Sequence, residues 1–161
     1  MIVAPGIYDA YGARLVEQAG FDAVYMTGNG VSASLLGQPD VGLVDLTLFA
    51  AHAHRAAACV DIPLICDADT GYGNAVNVRN TVREFESAGV AAIHIEDQVA
   101  PKRCGHLPGS RPVVAMAEHV GKIEAAVAAR RDPDFIIIAR TDAAGGLGLD
   151  EAIRRAQAYR K

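Results

Sequence analysis

Short apolar runs alternate along the chain with longer segments in which apolar residues recur at helical spacing. Residues 91–95 form such a run, preceded by Gly89, which predicts a short buried strand. Residues 78–88 come just before it and predict an amphipathic helix. The predicted apolar face of this helix comprises Val78, Val82 and Phe85, and the polar face comprises Arg79, Arg83 and Glu86.

The same pattern extends over the whole chain. Strands are predicted over residues 2–8, 23–26, 64–66, 91–95 and 135–139. Helices are predicted over residues 10–18, 45–59, 78–88, 113–130 and 150 to the end, with loops at 27–30 and 67–77 and a long loop or short helix at 31–40. Strict alternation of strands and helices requires a parallel sheet, which is either doubly wound or closed into a (β/α)8 barrel.

The polar residues favour the barrel. They cluster directly after the strands, at Thr27, Asp67, Asp69, Glu96 and Arg140. Functional groups at the carboxyl ends of many successive strands are typical of a (β/α)8 barrel, whereas a doubly wound sheet gathers its ligand at one switch point. A barrel needs about 250 residues, so this chain is expected to supply about the first five βα units. We predict an α/β fold of the (β/α)8 TIM-barrel type, present as one partial domain over residues 1–161.

Composition narrows the classes of function. Hydrophobic residues make up 51% of the chain and the formal net charge is −4, without a basic stripe, which argues against nucleic acid as a partner. No apolar run has the length of a membrane span and the amino terminus lacks a signal pattern, so no membrane partner is expected. The cysteines lack a Cys-x-x-Cys motif and indicate a reducing compartment. We expect a cytoplasmic enzyme.

One polar segment has the composition of a reactive loop. Lys102, Arg103 and His106 surround Cys104, and Gly105 lets the backbone approach a ligand closely. A thiol among positive charges shifts toward the thiolate and can serve as an acid, a base or a nucleophile. The alternative interpretation is a solvated basic turn with an incidental cysteine. The acidic ends of the neighbouring strands favour the reactive loop.

Those acidic strand ends predict a metal site. Residues two apart on a strand share a face, so Asp67 pairs with Asp69 and His94 with Glu96. Carboxylates without thiolate or imidazole partners at ligand spacing favour a hard cation, Mg²⁺ with Mn²⁺ as the second option, over Zn²⁺. The alternatives are that the aspartates cap a turn and that His94 is a hydrogen-bonded core histidine. Residues 28–30 lack the third glycine of GxGxxG, which argues against a Rossmann site.

The motifs and their order resemble the isocitrate lyase/phosphoenolpyruvate mutase superfamily over nearly the whole chain. The matching segments are residues 25–28, 37–40, 67–73, 94–98, 102–106 and 139–143. The most specific of them is Lys-Arg-Cys-Gly-His following Glu-Asp-Gln. The cysteine is similar to that of the lyase branch, which includes 2-methylisocitrate and 2,3-dimethylmalate lyases.

This resemblance implies a role for each matching residue. The implied metal ligands, direct or through water, are Asp40, Asp67, Asp69 and Glu96, and the implied substrate contacts are Tyr25, Thr27, Gly28, Asn29, Gly105 and Arg140. Cys104 would be the general acid/base, tuned by Lys102 and His106. The implied reaction is the Mg²⁺-dependent cleavage of a 2-hydroxy di- or tricarboxylic acid into a 2-oxo acid, pyruvate or glyoxylate, and a dicarboxylate such as succinate.

Two departures from the superfamily pattern keep other functions open. Asn29 stands where the lyases have glycine, and the barrel of the superfamily continues for three further βα units. The alternatives are a phosphoenolpyruvate or carboxyphosphonoenolpyruvate mutase, an oxaloacetate decarboxylase, or an inactive fragment that associates with itself. The resemblance also implies a small carboxylate substrate as the partner and a homo-oligomer, a tetramer in the full-length family.

Overall fold

The computed structural model describes residues 1–105, 107–109 and 111–160, and it contains one parallel sheet of five strands. The strands are β1 (Gly6–Ile7), β2 (Val24–Met26), β3 (Leu64–Asp67), β4 (Ala92–Glu96) and β5 (Ile136–Arg140). The helices are α1 (Ala10–Gln18), α2 (Gly28–Leu36), α3 (Leu46–Ala57), α4 (Ala75–Ser87), α5 (Met116–Ala129), α6 (Ala144–Leu147) and α7 (Leu149–Tyr159). All of the strands in this part of the chain pair in sequence order, β1-β2-β3-β4-β5. Sequential parallel order is the order of a (β/α) barrel, since a doubly wound sheet reverses direction at its switch point.

The register of the strands brings the predicted site residues to one edge of the sheet. Asp67 at the end of β3 lies opposite His94 of β4, and Glu96 at the end of β4 lies opposite Arg140 of β5. Every residue of β4 is buried, because the strand pairs on both sides. The polar ends of three neighbouring strands therefore meet at the carboxyl edge of the sheet.

The core lies between the sheet and the helices that cover its outer face. Phe49 of α3 and Phe85 of α4 meet edge to face, with ring centroids 5.9 Å apart, and both side chains are buried. Val82 of α4 and Ile93 of β4 are also fully buried in this core. Burial of a side chain of this size contributes about 1.5–3 kcal/mol, so this layer fixes the positions of the strands that carry the site.

The prediction of a loop over residues 27–30 was wrong. Gly28–Leu36 is a helix, capped at its start by Thr27, whose Oγ1 accepts a hydrogen bond from the backbone N–H of Gly30 at 3.4 Å. Gly37 ends it in the left-handed conformation, with φ of +62°. Glycine has a low helix propensity, and the Gly-Asn-Gly start concealed the helix. The helix aims its first backbone N–H groups at the carboxyl edge of the sheet.

Other element bounds also differ from the sequence pattern: β1 is confined to Gly6–Ile7 rather than residues 2–8, and Ala144–Leu147 is a short helix that the pattern did not predict. Helix α4 begins at Ala75 rather than at residue 78, because Asn74 and Asn77 form a reciprocal capping box. Helix α5 begins at Met116 rather than at residue 113. The predicted bounds of α1, 10–18, agree with the structure. No helix within the described ranges is long and apolar enough to cross a membrane.

A fully buried aspartate fastens the last helix to the sheet. The carboxylate of Asp97 accepts hydrogen bonds from Thr141 Oγ1 at 2.7 Å, the backbone N–H of Asp142 at 2.9 Å, Tyr159 Oη at 2.8 Å and Arg155 Nη1 at 3.1 Å. Thr141 and Asp142 follow β5, whereas Arg155 and Tyr159 belong to α7. Asp97, which directly follows β4, thereby links the segment after β5 and helix α7 to the end of β4.

Candidate active site

A cavity of about 200 Å³ opens at the carboxyl edge of the sheet. Its lining consists of Tyr25, Thr27, Asn29, Asp40, Asp67, Glu96, Lys102, Arg103, Cys104, Gly105 and Arg140. Two predicted residues lie just outside this lining: Gly28 donates its backbone N–H to Asp67, and Asp69 contacts Lys102. His106 lies outside the described residues. The functional roles of these residues stay predictions.

Asp67 is held by the backbone on both sides. Its Oδ1 accepts a hydrogen bond from the backbone N–H of Asp69 at 2.9 Å, and its Oδ2 accepts one from the N–H of Gly28 at 3.2 Å. Gly28 is needed here, because an added Cβ would lie 2.7 Å from Asp67 Oδ2. Burial and the charge of Asp67 raise the pKa of Asp69 to about 7, although Lys102 opposes the shift. These two carboxylates therefore form a compact acidic pair with little solvent.

Lys102 bridges the acidic pair and the loop that bears the thiol. Its Nζ lies 2.5 Å from Asp40 Oδ2 and 2.7 Å from Asp69 Oδ1, and all three side chains are buried. Burial alone would lower the pKa of Lys102, but the charges of Asp69 and Asp67 raise it above its ordinary value. The ammonium group is therefore present at neutral pH. Lys102 and Asp69 also line a neighbouring cavity of about 580 Å³.

Glu96 and Arg140 form an ion pair in the lining of the same cavity. Arg140 Nη1 lies 3.1 Å from Glu96 Oε2, and its Nη2 lies 3.0 Å from Asp142 Oδ1. Glu96 Oε1 is buried and accepts no hydrogen bond from the residues that the structure describes. Burial raises the pKa of Glu96 to about 8, although the charge of Arg140 opposes the shift. One carboxylate oxygen is thus left for a ligand.

Tyr25 and His94 form a stacked pair beside Asp67. The hydroxyl of Tyr25 is hydrogen-bonded to Nε2 of His94, and the ring centroids are 5.4 Å apart. His94 Nε2 lies 3.7 Å from Asp67 Oδ1. Burial lowers the pKa of His94, although the charge of Asp67 opposes the shift. The structure therefore shows His94 as a buried, hydrogen-bonded histidine behind Tyr25, which itself lines the cavity.

The loop that carries Cys104 closes one side of the cavity. Cys104 is 8% exposed, and its backbone N–H donates to the carbonyl of Asp40 at 3.0 Å. Sequence reasoning missed the residue that holds the loop from the other side, Gln98, which contacts Arg103. A signal was present, since Gln98 belongs to the segment 94–98 that matches the superfamily pattern.

The donor set fits a magnesium ion held in part by water and substrate. Within the described ranges, no three His, Cys, Asp or Glu side chains form a ready-made metal cluster. Mg²⁺ is commonly held by only one or two carboxylates, together with waters and substrate oxygens. Asp67 and Asp69 supply such carboxylates, and Glu96 supplies an unpartnered buried oxygen. These oxygens fit the preference of Mg²⁺ for hard ligands.

A sequential parallel sheet with an acidic cavity at its carboxyl edge defines a partial (β/α) barrel with an enzyme-like site. A family model described as phosphoenolpyruvate phosphomutase matches residues 1–161, and the chain belongs to this family.

Two curated relatives are lyases. The chain is 57% identical over 161 residues to 2,3-dimethylmalate lyase of Eubacterium barkeri. This match covers 100% of the chain and 55% of the relative. It is 47% identical over 154 residues to 2-methylisocitrate lyase of Shewanella oneidensis. This match covers 96% of the chain and 52% of the relative. The chain thus spans about half the length of the curated relatives it matches.

Solved structures share the fold. A crystal structure of 2,3-dimethylmalate lyase, a member of the PEP mutase/isocitrate lyase superfamily, matches with a TM-score of 0.93 and 46% identity, over 99% of this chain and 54% of that one. Phosphonopyruvate hydrolase in complex with oxalate and Mg²⁺ matches with a TM-score of 0.91 and 42% identity, over the same shares of the two chains. The predicted superfamily and the TIM-barrel type are confirmed.

Proposed function

We propose that this chain carries the metal and thiol half of a Mg²⁺-dependent carbon–carbon lyase that cleaves a 2-hydroxy di- or tricarboxylic acid. The observation that carries the proposal is the single cavity lined by Asp67, Glu96, Cys104 and Arg140. The acidic groups suit a cation, the guanidinium suits a carboxylate, and the thiol suits proton transfer. The two lyases described above support the same reaction class.

Each group has a definite task in this proposal. Asp67 and Asp69 would hold Mg²⁺, and Asp40 and Glu96 would reach it through water. Bound there, the ion would supply Lewis-acid stabilisation of negative charge on a substrate oxygen. Arg140 pairs with a substrate carboxylate, which fixes the molecule at the strand ends. Charge stabilisation that grows only as the bond breaks accelerates the reaction.

The remaining groups bind the other end of the substrate and complete the proton transfer. Thr27, Gly28 and Asn29 lie at the start of α2, where backbone N–H groups favour an anion such as a carboxylate. As the carbon–carbon bond breaks, its electron pair stays on the carbon of the departing fragment, the 2-hydroxyl releases its proton to water to become the carbonyl of the 2-oxo acid, and Cys104 donates a proton to the carbanion-like carbon. Lys102 and His106 tune this transfer. A homo-oligomeric state and a cytoplasmic location stay predictions.

A second candidate function is a mutase or hydrolase that acts on a phosphonate. The matching family model and the phosphonopyruvate hydrolase structure favour it as the runner-up. The cysteine in the Lys-Arg-Cys-Gly-His loop favours the lyase. The two candidates share the metal site and differ in the bond that breaks.

Product analysis separates the candidates. Purified protein carrying this chain is incubated with 2-methylisocitrate, 2,3-dimethylmalate, phosphonopyruvate, carboxyphosphonoenolpyruvate or oxaloacetate, and products are identified by mass spectrometry. We expect pyruvate from one of the first two compounds with Mg²⁺ and no product after EDTA treatment. Turnover of a phosphonate or of oxaloacetate, with none of the 2-hydroxy acids cleaved, would contradict the lyase assignment.

Substitution of Gly28 by alanine tests the metal assignment. The added Cβ would lie 2.7 Å from Asp67 Oδ2 and would force that carboxylate to move. Disturbance of a residue that orients a metal ligand typically weakens metal affinity by about 10–100-fold, and we expect this loss for Mg²⁺. Isothermal titration calorimetry with MgCl₂ measures it.

The matched control is Gly121→Ala on α5. Nothing lies within 4 Å of the Cβ that this substitution adds, so Mg²⁺ affinity should not change. Equal Mg²⁺ affinity in Gly28→Ala and in the unmodified protein would show that Asp67 does not hold the ion.

A further inference from the structure

Gln98 lies between the end of β4 and the loop that carries Cys104, and its side chain is almost fully buried. Its Oε1 accepts a hydrogen bond from the backbone N–H of Arg103 at 2.9 Å. Its Nε2 donates to the backbone carbonyl of Arg103 at 3.1 Å. One side chain therefore satisfies both backbone polar groups of the residue that precedes the thiol.

This double contact needs an amide. Backbone polar groups in a partly buried loop must be paired, and here neither a helix nor a sheet ladder pairs those of Arg103. A carboxamide offers an acceptor and two donors on one planar group, whereas a carboxylate offers acceptors alone. The backbone of Cys104 itself is held from the other side, through its N–H to the carbonyl of Asp40. Gln98 and Asp40 thus fix the loop on both sides of the sulfur.

The amide also connects the loop to the charged groups at the strand ends. Gln98 Nε2 donates to Asp142 Oδ2 at 3.1 Å, and Asp142 Oδ1 accepts from Arg140 Nη2 at 3.0 Å. Arg140 in turn pairs with Glu96 at 3.1 Å. A continuous series of polar contacts therefore runs from Glu96 to the backbone beside Cys104.

We propose that Gln98 is a positioning residue that sets the distance between Cys104 and Arg140. The inference rests on the proposed function, in which both of those residues act on the substrate. Gln98 is not part of the cavity lining, so its effect reaches the reaction through the loop and through Asp142. Gln98 contacts the backbone of Arg103 and the carboxylate of Asp142. These contacts hold other parts of the protein in place, and none of them is directed at a ligand in the cavity.

The test is the rate at which iodoacetamide alkylates Cys104 in Gln98→Met, followed by peptide mass spectrometry. Methionine has a similar size but pairs with none of the three atoms, so the loop should open more often. Loss of buried hydrogen bonds of this kind shifts an equilibrium by about tenfold, and we expect a comparable rise in the Cys104 rate. Cys66, which is fully buried in the core, serves as the internal reference.

The outcomes separate position from general instability. A faster rate at Cys104 with an unchanged rate at Cys66 supports the proposal. An unchanged rate at both thiols, or an equal rise at both, overturns it. Gln98→Glu keeps the acceptor for the N–H of Arg103 but places a carboxylate oxygen against Asp142 and against the carbonyl of Arg103. It should therefore also raise the rate at Cys104, and it replaces Gln98→Met if that variant does not fold. Gln157→Met, an exposed position on α7, is the matched control and should change neither rate.

Kinetics give a second result that a structural role alone would not produce. In the proposed reaction, Gln98→Met should lower kcat by about tenfold, because the thiol is displaced, and should change KM less, because Arg140 keeps its ion pair with Glu96. Equal loss of kcat in Gln98→Met and Gln157→Met would contradict the positioning role. The alkylation test does not require turnover. If Gln98→Met raises the alkylation rate of Cys104 while the protein cleaves none of the 2-hydroxy acids, the positioning role of Gln98 is supported and the lyase function is contradicted.

Discussion

Replacement of Cys104 by serine is expected to lower kcat for the cleavage of a 2-hydroxy acid by about 10²–10⁴-fold, the range typical for loss of a general acid. Serine fits the space of the thiol but releases its proton far less readily. KM should change little, because Arg140 and the start of α2, which are assigned to the substrate carboxylates, are untouched. Steady-state assays of pyruvate release measure both constants.

The control for this prediction is Cys59→Ser. Cys59 is half-buried two residues after the end of α3. Its S–H donates to the carbonyls of Ala56 at 3.1 Å and Ala10 at 3.4 Å, and a hydroxyl can also form these bonds. Its kcat should equal that of the unmodified protein. A Cys104→Ser variant that turns over at the same rate as this control would remove the sulfur from the mechanism.

Substitution of Asp97 by alanine is expected to lower the free energy of unfolding by about 3–5 kcal/mol, the usual cost of breaking a buried ion pair. Arg155 is only 5% exposed, and without Asp97 its guanidinium would lose its partner on the sheet. Tyr159 and Thr141 would lose the acceptor of their hydroxyl groups. Urea titration followed by far-UV circular dichroism gives the free energy.

The exposed aspartate Asp22 provides the control for the Asp97 variant. Asp22→Ala should change the free energy of unfolding by less than about 0.5 kcal/mol, as is usual for surface substitutions. If Asp97→Ala lowers the free energy of unfolding by no more than Asp22→Ala does, the structural role of the Asp97 network is contradicted. The contact between α7 and the sheet would then contribute little to the stability of the fold.

The same network makes the stability depend on pH. Burial would raise the pKa of Asp97, but hydrogen bonds from the backbone of Asp142 and from Thr141, Tyr159 and Arg155 lower it below its ordinary value. The stabilisation is present above the unfolded-state pKa of about 3.9 and is lost as the pH falls through the lower folded-state value. In Asp97→Asn this loss should be missing, so the free energy of unfolding should fall less steeply below about pH 4.

The sequence allowed the strands and the residues at their ends to be predicted, because both follow from local periodicity. Asp67 and Glu96 could be assigned to one edge, since parallel strands present their carboxyl ends together. The helix at Gly28–Leu36 was missed, because local propensity at Gly28 opposes a helix that tertiary contacts support.

Contacts between distant parts of the chain could not be predicted in the same way. The spacing of residues along the sequence does not show that Lys102 reaches both Asp40 and Asp69, or that Asp97 meets α7. These pairs depend on how loops fold back over the sheet. A motif identifies residue types, whereas partners that lie tens of positions apart are defined by the folded chain.

The ammonium of Lys102 has a consequence for the protein without its metal. Carboxylates that are buried close together repel one another, and Lys102 already offsets part of that repulsion at Asp40 and Asp69. The protein should therefore stay folded when a chelator removes the metal, whereas zinc fingers unfold when their ion is removed. A divalent ion would enter a site that is already folded and partly neutralised. The fraction of protein with bound metal would then depend on the free concentration of the ion and not on folding of the chain.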